Sequence, residues 1–215
     1  INDTLEMLRQ VDAPATWALS NHDTPRVASR HGDQASRALA LFVMALPGSC
    51  YIYNGQELGL PDADLADSDR QDPSFFRTKG LQKGRDGARV PMPWNGESSP
   101  FGFSSGKPWL PIPQSWCGLS VADQEKNLES TLHLYRNALA IRREQLVGTG
   151  DITWVNEGEN DLLSFARGEF AVYLNAGDKD VKIPSAGNLA IGSNSKVQLT
   201  NGTLALPPAT SAWVA

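Results

Sequence analysis

Residues 16–26 read T-W-A-L-S-N-H-D-T-P-R, and this stretch determines how the rest of the chain is interpreted. The apolar residues 17–19 predict a short buried strand that ends abruptly at the polar residues after it. Pro25 prevents the strand from continuing, because proline lacks the backbone donor that a sheet ladder needs. Polar side chains, among them His22 and Asp23, are therefore expected to collect at the carboxyl end of a strand.

The pair His22 and Asp23 has chemistry that suits a sugar. A neutral imidazole donates one hydrogen bond and accepts another, and a carboxylate accepts two hydroxyl hydrogens or stabilises nearby positive charge. In parallel α/β folds, the carboxyl ends of the strands carry the chemistry because their loops converge. A lone N-H-D tripeptide is also compatible with a simple hydrogen-bonded turn, so the rest of the chain must decide.

The composition is that of an ordinary globular protein. Of the 215 residues, 40% are hydrophobic and 20% are charged, which is enough apolar material for a core. The net charge of -5 comes from 24 acidic and 19 basic residues that form no block of like charge. Neither a nucleic-acid partner nor an anionic membrane surface is expected from this pattern.

Cysteines and targeting signals are sparse. Cys50 and Cys117 are too few for a disulfide framework and lie in no metal-ligand spacing, so buried free thiols are expected. The first residues form no signal-peptide pattern, and no apolar run approaches the roughly 18 residues of a membrane span. These features predict a cytoplasmic protein. The chain opens at Ile1 with apolar residues already at helical spacing, which favours a piece of a longer protein.

A strand, a helix and a second strand follow one another in residues 16–53. Asp33 is a candidate cap for a helix whose apolar positions are Ala35, Leu39, Phe42, Val43 and Leu46. Pro47-Gly48 ends that helix, and residues 50–53 predict the next strand. This is a βαβ unit, so its two strands are expected to be parallel.

The middle of the chain, residues 54–120, is a long connection rich in Pro, Gly, Asp and Trp. Its aromatic residues and guanidinium groups are equally compatible with a sugar-stacking surface and with a small satellite core under the loop. An amphipathic helix is predicted over residues 127–146, with Leu128, Leu132, Tyr135, Leu139 and Leu146 on a stripe that packs in the core.

From Gly148 onward the pattern becomes all-β. Short apolar segments alternate with turn residues such as Asn201-Gly202, and this predicts a small antiparallel sandwich of Greek-key type. The predicted segments are residues 152–155, 162–166, 170–174, 181–183, 196–199, 203–206 and 211–214. The unit contains no histidine and no clustered carboxylates, so no catalytic role is expected for it.

Four segments in this order resemble the α-amylase clan of glycoside hydrolases (family 13), and within it the α-glucosidase and oligo-1,6-glucosidase group. They are S-N-H-D at 20–23, C-Y-I-Y-N-G-Q-E-L-G at 50–59, R-D-G-A-R-V-P-M-P-W at 85–94 and G-F-S-S-G-K-P-W at 102–109. In that family the first ends the seventh barrel strand and the second forms the eighth strand and its exit.

The resemblance implies a chain of class α/β plus all-β. Residues 1–147 would be the C-terminal part of an incomplete (β/α)8 TIM barrel, with strands seven and eight, helices seven and eight, and a long substrate-side loop. Residues 148–215 would be the family's C-terminal domain, the Greek-key β-sandwich.

The resemblance also implies roles for individual residues. Asp23 would stabilise the oxocarbenium-like transition state, and His22 would hydrogen-bond the same glucose ring. Arg89 would bind the glucose in the deepest subsite, and Arg26 would serve the neighbouring subsite. For Asn21 a turn-capping role is expected. No metal or cofactor is implied.

One departure from the family is large. Retaining hydrolysis needs a carboxylate nucleophile and a carboxylic acid roughly 5 Å apart, and in this family both come from strands upstream of the N-H-D segment. The acids of the eighth-strand exit and the loop after it are assigned to the strand exit and to a solvated surface: Glu57, Asp62, Asp64, Asp67 and Asp69. The chain is therefore expected to be a fragment of a retaining α-glucosidase that is inactive alone.

The expected partners follow from this departure. They are an α-linked gluco-oligosaccharide and the missing N-terminal part of the same barrel. Two parallel strands cannot close a barrel, so self-association through open sheet edges is also expected. The linkage preference, α-1,4 or α-1,6, depends on loops outside these residues.

Other classes of function remain alternatives. The chain could be a non-catalytic carbohydrate-binding or scaffolding module, or a non-catalytic relative that serves as a transporter subunit. A metal-dependent nuclease built on His22, Asp23, His31 and Asp33 has suitable ligand types but lacks a basic groove.

Overall fold

The computed structural model describes all 215 residues and divides into two compact units. The first unit consists of Ile1–Ala18, Gln34–Tyr51 and Leu134–Ala215, and the second consists of Leu19–Asp33 and Ile52–His133. Helix α2 (Val27–Met44) contributes residues to both, and its helical conformation is interrupted at Gly32 (φ 81°, ψ 166°). α2 thus consists of two helical segments that meet at a kink at Gly32, and the second segment resumes at Asp33, where the helix was predicted to begin.

The first unit begins with helix α1 (Asn2–Arg9) and contains two short parallel strands, β1 (Thr16–Ala18) and β2 (Ser49–Tyr51). Thr16 lies opposite Ser49, which confirms the predicted parallel pairing. Gly48 is required at the entry to β2, because a Cβ there would lie 2.2 Å from the main-chain oxygen of Ala15. The close approach lets the amide of Ser49 donate to that oxygen at 2.8 Å.

The parallel pair is covered on one face alone. β1 and β2 form a two-stranded sheet in which each strand has a single neighbour. Trp17 and Cys50 are half-buried, whereas the residues on either side of them are exposed, and Tyr51 is 64% exposed. Parallel sheets in α/β proteins are normally covered on both faces. This sheet therefore presents a face and two edges that other elements could cover.

The rest of the β structure lies in the first unit as two antiparallel sheets. One has the order β3-β4-β5-β10-β7 and the other the order β6-β9-β8. The strands are β3 (Thr153–Glu157), β4 (Leu162–Arg167), β5 (Phe170–Asn175), β6 (Val181–Pro184), β7 (Leu189–Gly192), β8 (Gln198–Thr200), β9 (Thr203–Leu206) and β10 (Thr210–Val214). All seven predicted segments are strands. Strand β7 was not predicted; it closely follows Gly187 and ends in Gly192, and glycines are typical of turns.

The larger sheet packs on the C-terminal half of α2. The rings of Phe42 and Phe165 meet edge to face with centroids 5.2 Å apart, and Nε1 of the buried Trp213 donates to the oxygen of Leu41 at 3.1 Å. Residues on both sides of the predicted boundary at 147/148 thus belong to one compact unit. The division into domains 1–147 and 148–215 stays a prediction.

The last helix is shorter than the predicted span of 127–146. Helix α5 covers Thr131–Ile141 and continues into a π-helical turn, Arg142–Leu146. It starts late because Oδ1 of Asn127 accepts the amide of Glu129 at 3.0 Å and closes a separate turn. Leu128 is consequently 76% exposed, and Leu139 is 37% exposed, so the predicted places of these two leucines on the core stripe are wrong.

The second unit is built from short elements around a small core. It contains α3 (Pro73–Arg77), α4 (Val121–Glu125) and 3-10 turns at Gln56–Leu58, Asp67–Asp69, Asp86–Arg89 and Gln114–Trp116. Phe101 and Trp116 are buried in this core together with Leu58, Leu60, Val90 and Leu110. Other aromatic residues of the loop stay exposed: Trp94 (47%), Phe103 (45%) and Trp109 (57%). The loop therefore holds a satellite core and also leaves three aromatic side chains exposed.

The two cysteines are free, as predicted, but only Cys50 is partly buried, and Cys117 is exposed. None of the helices has the length and apolarity needed to cross a membrane.

Candidate functional site

The loop after β1 is fixed by its own side chains. Oδ1 of Asn21 accepts hydrogen bonds from the amide of Asp23 (2.8 Å) and from Oγ1 of Thr24 (3.3 Å), as in an Asx turn. Oγ of the buried Ser20 accepts the amide of Val27 at 2.8 Å, where α2 begins. These bonds hold His22 and Asp23 at the tip of the loop.

The 3-10 turn Asp86–Arg89 brings a guanidinium group to this tip. Nε of Arg89 donates to the main-chain oxygen of His22 at 2.9 Å, and Nη2 donates to Oδ1 of Asp23 at 3.0 Å. Two neighbouring residues of the N-H-D segment are thus held by one planar fork from a distant part of the chain. His22, Asp23 and Arg89, which the sequence assigned to one site, lie together in the structure.

A second arginine contacts the same carboxylate. Nη1 of Arg85 donates to Oδ1 of Asp23 at 2.7 Å, while Nε of Arg85 donates to Oδ2 of Asp72 at 2.7 Å. The Asp72 side chain is completely buried. Nη1 of Arg89 also lies 4.0 Å from Oδ2 of Asp72. Two arginines therefore connect an exposed carboxylate with a buried one.

The charges of this cluster stabilise one another. The pKa of Asp23 lies below its ordinary value: partial burial acts to raise it, but the hydrogen bond from Arg85, the proximity of His22 and the bond from Arg89 outweigh that effect. The pKa of Asp72 lies well below its usual range, chiefly because Arg85 and the amide of Ser74 donate to it. The hydrogen bond that Arg85 donates to Asp72 raises the pKa of Arg85. Both carboxylates are therefore ionised at neutral pH.

The two oxygens of Asp23 have different surroundings. Oδ1 accepts from Arg85 and from Arg89. Oδ2 lies 3.4 Å from Nε2 of His22, whose side chain is 66% exposed. An ionised oxygen beside an exposed imidazole can accept a hydroxyl hydrogen or stabilise positive charge that develops nearby.

A cavity of about 290 Å³ adjoins Asp23 on the side of Arg85. Its polar lining includes Asp23, Thr24, Asp62, Arg70, Lys83 and Arg85. Arg70 is buried and already donates to the oxygens of Lys83 and Leu65, both at 2.8 Å. The charged groups that line the cavity are of both signs, two carboxylates and three cations.

Arg26 occupies a different environment from the predicted one. Its side chain is 1% exposed, Nη1 donates to the oxygen of Asn54 (2.6 Å), and Nη2 donates to the oxygen of Ala88 (2.8 Å). The guanidinium also lies 5.1 Å from the centre of the Tyr53 ring. The predicted substrate contact is corrected accordingly: Arg26 has no face open to a sugar, and it ties the loop after β1 to the two following loops.

Of the acidic residues after β2, Asp64 and Asp67 are exposed, as predicted for a solvated surface, whereas Glu57, Asp62 and Asp69 are half-buried. Oδ1 of Asp62 accepts the amide of Arg26 at 2.9 Å, and Asp67 pairs with Nζ of Lys83 at 2.7 Å. Burial raises the pKa of Glu57, whose Oε2 has no hydrogen-bond partner.

The structure lacks the cluster of metal ligands that the nuclease alternative requires. The structure contains no group of three or more His, Cys, Asp or Glu side chains placed to hold a metal ion. His31 and Asp33, which that alternative would need beside the N-H-D segment, are both exposed.

Two members of the cluster were not identified from the sequence. Arg85 lies inside the R-D-G-A-R segment, but the pattern does not show which arginine faces Asp23. Asp72 precedes Pro73 and caps α3, with the amide of Ser74 donating to Oδ1 at 2.9 Å. Asp before Pro is ordinarily explained by a helix cap. The sequence around Asp72 therefore does not indicate that its carboxylate also accepts a hydrogen bond from Arg85.

Several known proteins are similar to this chain in sequence. The family model for the alpha amylase catalytic domain matches residues 1–150. A probable alpha-glucosidase of Rhizobium meliloti (strain 1021) is 44% identical over 161 residues, which are 71% of this chain and 29% of that protein. An oligo-1,6-glucosidase of Parageobacillus thermoglucosidasius is 30% identical over 161 residues, 62% of this chain and 28% of that protein.

Solved structures agree with the sequence relatives. The alpha-glucosyl transfer enzyme XgtA superposes with a TM-score of 0.79 at 31% identity, covering 100% of this chain and 43% of that one. The trehalose-6-phosphate hydrolase of Bacillus licheniformis has the same fold, with a TM-score of 0.79 at 21% identity over 96% of this chain and 44% of its own. This chain spans less than a third of the length of these two curated relatives (29% and 28%). With the family model matched over most of its length, the chain belongs to the α-amylase family of glycoside hydrolases.

Proposed function

We propose that this chain forms the glucose-binding part of the active site of a retaining α-glucosidase, which hydrolyses terminal α-glucosidic bonds of oligosaccharides. The observation that carries the proposal is the meeting of His22, Asp23 and Arg89, since Arg89 joins the N-H-D tip from 66 residues away along the chain. The α-glucosidase and oligo-1,6-glucosidase relatives support the same class of substrate.

Each residue of the cluster has a role in this proposal. Asp23 accepts hydroxyl hydrogens of the glucose ring and stabilises the positive charge of the oxocarbenium-like transition state. His22, beside Oδ2 of Asp23, bonds the same ring. Arg89 fixes both residues and contributes to binding in the deepest subsite. Arg26 contributes by holding the loops and not by contact with the sugar.

The proposal assigns the nucleophile and the general acid to a partner segment. The half-covered sheet of β1 and β2 supports an arrangement in which they are strands seven and eight of a (β/α)8 barrel, with the preceding strands against their open edges. The antiparallel sheets would be the C-terminal Greek-key domain. Alone, the chain would be inactive and would associate through the open edges. We also propose that the protein is located in the cytoplasm.

A chimera tests this function. In the probable alpha-glucosidase of Rhizobium meliloti, the matched 161-residue segment is replaced by that of this chain, and hydrolysis of an aryl α-glucoside is measured. We expect activity in the chimera, a loss of about 10²- to 10³-fold in kcat with Asp23→Asn, and none in the isolated chain. A folded chimera that tolerates Asp23→Asn would refute the assigned role, and Asp23-dependent hydrolysis by the isolated chain would show an overlooked nucleophile.

The exposed aromatic residues favour a second candidate, a carbohydrate-binding module. Trp94 and Trp109 are 47% and 57% exposed in the same loop, and aromatic faces of this kind stack on sugars. Calorimetry of the isolated chain with maltose and isomaltose separates the two functions. A binding module should titrate and lose affinity with Trp109→Ala but not with Leu81→Ala, which removes a 90% exposed aliphatic residue. A partial catalytic site should respond weakly.

A further inference from the structure

Asp72 is the residue of the cluster whose placement the proposed function does not explain. Its side chain is fully buried, so it cannot reach a sugar. Yet its carboxylate is bonded to the arginine that contacts Asp23, with 2.7 Å from Nε of Arg85 to Oδ2 of Asp72 and 2.7 Å from Nη1 of Arg85 to Oδ1 of Asp23. One guanidinium thus spans a buried acid and an exposed one.

We propose that Asp72 is a positioning residue that acts through Arg85 to orient the carboxylate of Asp23, so that Oδ1 is held by arginine and Oδ2 is left for the sugar. This inference rests on the proposed function, since it names the residue that prepares Asp23 for that role.

The hydrogen bonds of Asp72 fix its own position. Oδ1 accepts the amide and the hydroxyl of Ser74, both at 2.9 Å, and Oδ2 accepts the amide of Arg85 at 2.9 Å in addition to its Nε. Oδ2 of the buried Asp86 accepts the amides of Gln71 (2.7 Å) and Asp72 (2.9 Å). Backbone and side chain of Asp72 are therefore both held, and the Arg85 fork is bound at its Nε end.

The alternative is that Asp72 is merely a structural helix cap. A cap needs the contact of Oδ1 with Ser74, but it does not need the two bonds from Arg85 to Oδ2. Asp72→Asn separates the two roles, because an asparagine oxygen keeps the cap while its amide group cannot accept from Arg85.

The direction in which the pKa of Asp23 changes distinguishes a positioning role of Asp72 from the effect of its negative charge alone. Removing the negative charge of Asp72 would, by Coulomb's law alone, make Asp23 easier to ionise and lower its pKa. Releasing Arg85 from Asp23 would raise that pKa, because Asp23 would lose a donor and a nearby cation. The other charged groups around Asp23 are His22 and Arg89, which contact it, and Asp62, Arg70 and Lys83, which line the same cavity. Both variants keep all five side chains, and Asp72→Asn changes only the 4.0 Å contact of Asp72 with Nη1 of Arg89.

The experiment is a carboxyl ¹³C NMR titration of Asp23 in the 215-residue chain, with the signal assigned by its absence in Asp23→Asn. We expect Asp72→Asn and Arg85→Gln each to raise the pKa of Asp23 by about 0.5 to 1. In the Arg85→Gln background, adding Asp72→Asn should raise it no further. Asp67→Asn is the matched control, because Asp67 also pairs with cations, Arg70 and Lys83, but not with Arg85.

Each outcome decides the proposal. A lowered or unchanged pKa of Asp23 in folded Asp72→Asn, or an equal rise in Asp67→Asn, would overturn it. If Asp72→Asn does not fold, Asp72→Ser replaces it, because a serine hydroxyl can cap the helix while the acceptor of Arg85 is removed, and the same rise in the pKa of Asp23 is expected. An unchanged pKa in Asp72→Ser or in Arg85→Gln refutes the coupling. The titration needs no catalysis, so failure of the proposed function, seen as an active Asp23→Asn chimera, remains distinguishable from failure of this inference.

Discussion

Arg89 donates to two consecutive residues of the loop after β1, to the main-chain oxygen of His22 through Nε (2.9 Å) and to Oδ1 of Asp23 through Nη2 (3.0 Å). The planar guanidinium satisfies both acceptors with one rigid group, which an ammonium cannot do. The Arg89 side chain is 21% exposed and reaches from the 3-10 turn to the exposed surface of the loop, where both bonds form. These two hydrogen bonds fix the main chain at His22 and the carboxylate of Asp23 relative to each other.

Arg89→Lys is predicted to lower kcat/KM of the chimera by about 10- to 100-fold, because one bond to a charged group is lost while the positive charge remains. The measurement is steady-state hydrolysis of an aryl α-glucoside. Arg77→Lys, on the exposed side of α3, is the matched control and should have no effect. Equal activity in the two variants would mean that Arg89 acts through charge alone.

The local parts of this architecture could be predicted from the sequence. The parallel pair of strands could be predicted because Trp17 lies in an apolar run that ends before Pro25, and Pro47-Gly48 separates the helix from the next strand. Strand β7 (Leu189–Gly192) was missed because it closely follows Gly187 and its own last residue is a glycine, a pattern typical of a turn. A short strand has little periodicity of its own, and its existence depends on pairing with β10.

The site could be predicted only for residues that occupy fixed positions in the family's sequence motifs. His22, Asp23 and Arg89 stand at fixed places in their segments, and the structure brings them together. Arg26 stands three residues after Asp23, but sequence proximity does not reveal that its guanidinium turns inward to Asn54 and Ala88. The role of Asp72 was inaccessible for a related reason: it depends on a contact with Arg85, thirteen positions later, across a loop without periodicity.

Arg26→Met should destabilise the chain by about 1–3 kcal/mol, because the oxygens of Asn54 and Ala88 would lose buried donors. The free energy of unfolding in urea measures the effect. Arg77→Met, at an exposed position, should stay within about 0.5 kcal/mol of the parent chain. An unchanged urea midpoint in Arg26→Met would contradict the structural role and reopen the predicted contact with substrate.

Arg167→Met should destabilise the first unit by a similar amount, about 1–3 kcal/mol. Arg167 is 6% exposed and donates to the oxygens of Ala45 (2.8 Å) and Leu146 (3.0 Å), which joins β4 to the ends of α2 and of the π-helical turn. Burial, followed by the charge of Arg142, lowers the pKa of Arg167 to about 10, so the side chain stays charged at neutral pH.

The matched control for Arg167→Met is Arg143→Met, because the Arg143 side chain is 78% exposed. Urea unfolding of both variants should show a lower midpoint for Arg167→Met alone. Equal midpoints would mean that the carbonyl oxygens at the end of α2 find other donors when Arg167 is removed.

Glu57→Gln is predicted to change how stability depends on pH. Burial raises the pKa of Glu57 above its ordinary 4.5, against the smaller effects of its own turn's amides and of Arg26. The folded chain therefore binds the Glu57 proton more tightly than the unfolded chain does. This favours folding below about pH 4.5 and is lost as the pH rises through the folded pKa. Glutamine is neutral throughout and shows no such loss.

The test compares the free energies of unfolding of the parent chain and Glu57→Gln in urea between pH 4 and 8 at constant ionic strength. The difference should shift in favour of Glu57→Gln as the pH rises and then level off. Effects of other groups, such as the lowered pKa of Asp72, cancel because both chains share them. Glu97→Gln, at an exposed site in the same unit, should show a constant difference. A difference for Glu57→Gln that is constant, or that moves the other way, would show that Glu57 is well paired in the folded chain.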